Sequence, residues 1–227
     1  MEPLLALDTS TGLGSVAVGV GDRLLAEVVV GVSARYSESL LPAIDYALRA
    51  SSLEPGALGG IVVSGGPGSF TGLRIAAATA KGLCHSLGVP LYAYSGLMAA
   101  AASVGAADRP VCALFDARRG EVYAACYRFP GFSGVETLVE PTADRLDAVL
   151  ARCAGYEPIF TGDGAERNRA ELEAAGARVV PGFLRAPRGG ALLWLAQVAA
   201  DAGRVRDPAA WEPEYVRAPG VTPGGVR

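Results

Sequence analysis

An apolar run that closes on an aspartate occurs twice in this 227-residue chain, and each copy is followed by the same kind of sequence. Leu4-Leu5-Ala6-Leu7-Asp8 leads through a Ser/Thr/Gly turn (9–14) into an alternating run at 15–20, and Gly21-Asp22 turns into a third run at 24–30. Val111-Cys112-Ala113-Leu114-Phe115-Asp116 is again a buried-strand pattern ending in an acid. A turn at 117–120, a strand at 121–127 and another near 135–139 follow it. Both copies then continue as helix, strand, Gly-rich loop and helix. The first has a helix over 37–50, a strand at 61–63 and a loop at 64–72. The second has a helix over 142–153, a strand at 158–161, and Gly162-Asp163-Gly164 opening a helix over 165–175.

The order β-β-β-α-β-α, used twice, is that of the duplicated ribonuclease-H-like or actin-like ATPase (ASKHA) architecture. The fold class is α/β, with two subdomains of mixed sheet and helices. The expected division is 1–106 and 107–227, with a hinge near 105–109 after a helix at 96–104. A last helix at 190–202 is expected to pack back on the first subdomain, and a Pro/Gly-rich tail from Pro213 to be extended. Hydrophobic residues make up 51% of the chain, ample for a core. No apolar run reaches the ~18 residues of a membrane span. Leu4–Leu7 runs straight into Asp8 without a signal-peptide pattern. A cytoplasmic protein is expected.

Composition excludes several chemistries. His85 is the only histidine, so an HxxxH or HExxH metal pair is impossible. It falls within an Ala-rich helical run, which leaves no credible Ser-His-Asp set. Cys84, Cys112, Cys126 and Cys153 form no CxxC pair and read as small buried hydrophobes in a reducing compartment. The net charge of −3 argues against a domain that grips nucleic acid alone. Gly12-Leu13-Gly14-Ser15-Val16-Ala17 matches a dinucleotide fingerprint but opens a strand where the fingerprint must open a helix. Lys81 is followed by Gly82, so there is no Walker loop.

Four features remain as candidates. Asp8 and Asp116, at equivalent strand ends, are placed to hold Mg²⁺, with Thr9, Ser10, Thr11 and Gly12 as a phosphate-cradling turn. Equally, Asp8 could cap its own turn. Asp116-Ala117-Arg118-Arg119 could bind a phosphate or carboxylate, or be a solvated turn. The loop Gly66-Pro67-Gly68-Ser69-Phe70-Thr71-Gly72-Leu73-Arg74 could present amides to an anion, or let a helix approach a sheet. The fourth feature is a pair of apolar helical stripes. Leu40, Leu41, Ile44, Ala47 and Leu48 form one, with Ser37 as N-cap and Pro42 in the first turns. Leu73, Ala76, Ala77, Ala80, Leu83, Cys84 and Leu87 form the other. Either stripe can be core or partner surface.

These motifs resemble one family. Gly66 to Ile75 with Ala80-Lys81-Gly82-Leu83 is similar to the signature of bacterial TsaB (YeaZ) proteins. Leu7-Asp8-Thr9-Ser10 with Ser15-Val16-Ala17-Val18 resembles the family's N-terminal hairpin and Ser37-Glu38-Ser39-Leu40-Leu41-Pro42 its first helix, while Asp116-Ala117-Arg118-Arg119 with Glu121-Val122-Tyr123, Gly162-Asp163-Gly164 and Pro213-Glu214-Tyr215-Val216-Arg217 match later stretches in order. Tyr36 stands where many members have histidine. The resemblance implies a non-catalytic dimerisation subunit in the synthesis of N6-threonylcarbamoyladenosine (t6A) at position 37 of tRNA. Its partners would be a catalytic, metal-holding TsaD-type paralogue and a TsaE-type ATPase, or a second copy of itself. Contact with tRNA would come only through the complex. The subunit would hold no cofactor of its own, any ATP or ADP at the interface belonging to partners. The interface expected from the resemblance is Leu40, Leu41, Ile44, Leu48, Leu73, Ala76, Ala77 and Ala80. An actin-like ATPase or small-molecule kinase using Asp8 and the glycine turns is the alternative.

Overall fold

The computed structural model describes residues 1–31, 36–105 and 109–214. The first sheet is built from β1 (Leu4–Asp8), β2 (Gly14–Val20), β3 (Arg23–Val30), β4 (Gly60–Ser64) and β5 (Leu91–Tyr94), in the order β3-β2-β1-β4-β5. β1 pairs antiparallel with β2 and parallel with β4. The helices of this half are α1 (Tyr36–Ala50), α2 (Phe70–Leu87) and α3 (Gly96–Ser103). The second sheet repeats the plan with β6 (Val111–Asp116), β7 (Glu121–Arg128), β8 (Glu136–Arg145), β9 (Ile159–Thr161) and β10 (Arg178–Val179), in the order β10-β9-β6-β7-β8. Its helices are α4 (Leu146–Cys153), α5 (Asp163–Arg167), α6 (Arg169–Ala174), α7 (Gly189–Val198) and α8 (Ala200–Gly203). This is the duplicated actin-like fold.

Strand alternation sets what each face buries. Leu5, Leu7, Val16, Val18, Ile61 and Val63 pack with α1 and α2 on one face of the first sheet. Ala6, Ala17 and Val62, on the opposite face, pack with Leu192, Leu193 and Leu195 of α7. Conversely, Leu97, Ala100 and Ala101 of α3 pack under the second sheet against Val111, Ala113 and Ala125. Each half thus lends a helix to the other, and Trp194 joins both cores. Docking of α7 is reinforced at its start. Ser15 Oγ accepts from the Gly189 amide at 2.9 Å, and Glu27 Oε1 accepts from the Gly190 amide at 3.1 Å. These two groups, from β2 and β3, satisfy N–H groups that the first turn of a helix leaves open.

Several element boundaries differ from expectation. The helix expected from 142 begins at Leu146, because Thr142 to Arg145 extend β8 along β7 down to Glu121. Edge pairing there claims these residues for the sheet, and Pro141 costs little on an edge strand. β5 was not expected, being only four residues long. The last helix breaks at Ala199, and the helix expected over 165–175 breaks at Asn168. Ser37 lies inside α1, and Pro42 is therefore mid-helix and exposed. Most of the expected hinge at 105–109, and the tail beyond Glu214 with the last three residues of its Pro213–Arg217 motif, lie outside the described residues.

Candidate functional site

The ends of β1 and β6 face one cleft of about 560 Å³ between the two halves, lined by Ser10, Thr11, Gly12, Ser69, Phe70, Thr71, Asp116, Arg118, Tyr123 and Asp163. This is where an actin-like enzyme would hold a metal nucleotide. Asp8 does not line it. Its side chain is fully buried, accepting from the Ser10 amide at 3.2 Å, from Ser10 Oγ at 2.9 Å, and from Ser64 Oγ. Burial pushes its carboxyl up to about 6 despite those donors.

The signature loop packs on the turn that follows this carboxylate. Ser69 donates its amide to the Ser10 carbonyl at 2.7 Å, and Thr9 Oγ1 donates to the Gly72 carbonyl at 2.6 Å. Ser69 caps α2 by accepting from the Gly72 amide at 3.2 Å. The Leu13 amide is taken by Thr11 Oγ1. The glycines of the loop meet backbone: a Cβ on Gly72 would lie 1.9 Å from the Thr9 oxygen, and one on Gly68 2.3 Å from the Ser10 oxygen. The second half repeats the device, since a Cβ on Gly162 would lie 2.1 Å from the Leu114 oxygen. Close packing, rather than an anion cradle, explains the glycines. The expected contacts of Asp8, Thr9 and Ser10 with a nucleotide are therefore corrected. Asp8 has no surface to offer Mg²⁺, Thr9 Oγ1 is spent on the Gly72 carbonyl and the Ser10 amide on Asp8, so these three groups do not fit a magnesium nucleotide, while Thr11 and Gly12 still line the cleft.

The other wall is equally self-contained. Asp116 Oδ2 accepts from Arg167 at 2.6 Å, and Oδ1 accepts from the Arg118 amide at 2.9 Å. The Asp116 amide donates to Asp163 Oδ1 at 3.2 Å. Burial raises the Asp163 carboxyl. Arg118 and Arg119 occupy left-handed backbone, with φ of 65° and 54°.

The helical stripes also require correction. Leu40, Ile44, Leu48, Leu73, Ala76, Ala77 and Ala80 are all buried in the chain's own interior. Most of them pack on the first sheet with α1 and α2 side by side, which consumes both apolar stripes. Of the eight expected interface residues, Leu41 alone is open to solvent, at 58% exposure. The outward half of α1 carries Leu41, Pro42, Asp45, Tyr46 and Arg49; that of α2 carries Arg74, Ala78, Gly82 and His85. Tyr46 is 60% exposed and was missed, because it falls outside the apolar period. Arg74 stacks on Phe70, its guanidinium carbon 4.1 Å from the ring centroid.

One further neighbour was not foreseen. Residues 211–214 run back across the signature loop. Glu214 donates its amide to the Gly65 carbonyl at 2.7 Å, and Lys81 Nζ donates to the Trp211 carbonyl at 2.9 Å. Gly66, at φ 103°, has no room for a side chain beneath the Glu214 oxygen. No sequence signal ties positions more than a hundred residues apart.

The fold and the cleft define an actin-like α/β protein whose nucleotide turn is braced by its own glycine loop. Comparisons with known proteins narrow this. The family profile "TsaD: tRNA N6-adenosine threonylcarbamoyltransferase" matches residues 30–168. The TsaB protein of Bacillus subtilis is 37% identical over 126 residues, covering 56% of this chain and 55% of that protein. That of Escherichia coli is 34% identical over 128 residues, covering 55% and 54%. A Pseudomonas aeruginosa structure, described as an uncharacterised protein with similarity to peptidase YEAZ, superposes with a TM-score of 0.82. It is 29% identical and covers 96% of this chain and 100% of that one. The chain belongs to the TsaB (YeaZ) family. The matches span about half the length of the two TsaB relatives. Among the described residues no helix is long and apolar enough to cross a membrane.

Proposed function

We propose that this chain is a non-catalytic subunit of t6A synthesis on tRNA, acting in the cytoplasm by pairing with a TsaD-type catalytic paralogue and helping to seat a TsaE-type ATPase. The observation that carries this reading is the sealing of Asp8. The carboxylate that would hold a metal nucleotide in an actin-like enzyme instead knots its own turn to Ser10 and Ser64. The signature loop then serves as a strut that fixes the start of α2. Beside it, the outward half of α1 offers Leu41, Pro42 and Tyr46 as an apolar contact. A stable pairing needs about 800 Å² per partner, roughly the outer surface of two such helices.

The alternative of an ATPase or small-molecule kinase needs Asp8 at the cleft surface, and its burial speaks against that. The test is calorimetry with Mg-ATP on the isolated chain, followed by a tRNA-modification assay with and without the paralogue. The proposal expects no nucleotide turnover by the chain alone and modification only in its mixture with the paralogue. Tight binding with turnover by the isolated chain would replace it with the enzyme reading.

A further inference from the structure

Away from the cleft and the outer helices, three thiols meet inside the second sheet. Cys112 on β6 and Cys126 on β7 stand directly opposite in the antiparallel register. Cys153, the last residue of α4, lies over them with its sulfur 3.8 Å from that of Cys112. All three are buried in one core cluster and are free thiols. Cys153 alone of the three also lines a surface cavity of about 500 Å³, walled by Leu150, Glu157 and Phe160 and flanked by Arg109 and Arg178. A small polar oxidant entering there meets Cys153 first.

The surroundings favour an asymmetric pair. Hydrogen-bond sharing with the Cys112 and Cys126 sulfurs holds the Cys153 thiol below its ordinary range, against the effect of burial. The same sharing, with burial, pushes Cys112 and Cys126 up. A thiol with more thiolate character, beside a cavity and next to a second thiol, has the makings of an oxidisable cysteine with its resolving partner.

We propose that Cys153 and Cys112 form a reversible oxidation site for hydrogen peroxide, Cys153 reacting first from the α4 cavity and Cys112 resolving it to an intramolecular disulfide. In the first step the Cys153 sulfur attacks one peroxide oxygen. The S–O bond forms, the O–O bond breaks, and the thiol proton leaves with the departing oxygen as water. In the second step the Cys112 sulfur attacks the Cys153 sulfur. The S–S bond forms, the S–O bond breaks, and the Cys112 proton leaves with the hydroxyl as a second water. Two thiols lose two electrons and one peroxide gains them. The sulfurs must close from 3.8 Å to about 2.05 Å, a movement at the free end of a helix. The product ties α4 to the central strand of the second sheet.

The test uses the full reduced chain, treated with a modest excess of hydrogen peroxide while folded, then denatured and alkylated. The proposal expects two of the four thiols to be lost, an intact mass lower by two hydrogens, and a peptide joining Cys112 to Cys153. A dithiol reductant restores all four. Cys84→Ser, in the core of the other sheet, leaves the bridge in place, whereas Cys153→Ser and Cys112→Ser each abolish it. If either serine variant fails to fold, peptide mapping of the unaltered chain decides alone. Four thiols surviving a dose that fully oxidises a free cysteine peptide would overturn the proposal. So would a bridge mapped to another pair, or oxidation that stops at sulfinic acid on Cys153.

Discussion

Thr9 donates its hydroxyl to the carbonyl of Gly72 at 2.6 Å, and the Cα–H face of that same glycine rests against the Thr9 carbonyl, where a Cβ would stand 1.9 Å away. The end of β1 and the first turn of α2 are thereby one unit. Gly72→Ala is expected to destabilise the fold by about 3 kcal/mol or more, since the obstacle is backbone and cannot rotate aside. Thr9→Val, which keeps the shape and removes the donor, should cost only ~1–2 kcal/mol. Urea unfolding of both variants checks the ranking; equal losses would mean the loop is not fixed by this contact.

Asp8 predicts a pH dependence with a definite sign. Burial raises its carboxyl from 3.8 to about 6 in the folded chain. Between these values the folded state keeps a proton that the unfolded state has released. The stability this group contributes is therefore full below about pH 4 and lost as pH rises through 6. The component amounts to roughly 2–3 kcal/mol. Asp8→Asn should remove it, flattening the change in unfolding free energy across that window. Parallel pH profiles for the two proteins would place the titrating group elsewhere.

Glu27 predicts the opposite slope. Burial pushes its carboxyl up, but Arg188 Nη2 at 2.6 Å, the Gly190 amide and Ser15 together hold it below its ordinary 4.5. Its contribution is present above that value and is lost as pH falls through the folded one. Glu27→Gln should weaken α7 docking by about 1–2 kcal/mol near neutrality, with the deficit shrinking in acid. Hydrogen exchange at Gly189 and Gly190 would register the loosened helix start; unchanged protection there would refute the capping role.

Surface and core positions of α1 should separate cleanly. Leu41→Glu and Tyr46→Glu alter exposed side chains and should leave stability within ~0.5 kcal/mol, while lowering affinity for the paralogue at least tenfold. Ile44→Glu places a charge in the core and should unfold the chain. Unfolding midpoints together with pull-down titrations read both properties. Unchanged affinity in both surface variants would move the partner face off α1.

The duplicated plan was legible because Leu4–Asp8 and Val111–Asp116 are buried-strand runs with the same polar ending, and because the turns after them are rich in glycine, serine or arginine. What failed did so for tertiary reasons. The spacing of Leu40, Ile44 and Leu48 says that they share a face, but not whether that face meets a sheet or a partner. The sheet answers, since Leu5, Leu7, Val16 and Ile61 need covering. The identity of Asp8 suggests a metal ligand; only the Ser10 and Ser64 hydroxyls folded onto it reveal a structural knot. Thr142–Arg145 reads as a helix start until β7 is there to pair with. The meeting of Cys112, Cys126 and Cys153 depends on strand register and on where α4 stops, neither of which their spacing encodes.

The central claim is that this chain contributes to tRNA modification by holding a partner rather than by chemistry of its own. The most direct measurement is t6A formation on unmodified tRNA in a reconstituted system with ATP, the threonylcarbamoyl adenylate source, the TsaD-type paralogue and the TsaE-type ATPase. The account predicts product only when both this chain and the paralogue are present, with Asp8→Asn as active as the unaltered chain and Leu41→Glu impaired. Product formed by this chain without the paralogue, or abolished by Asp8→Asn in a folded, partner-bound protein, would contradict it.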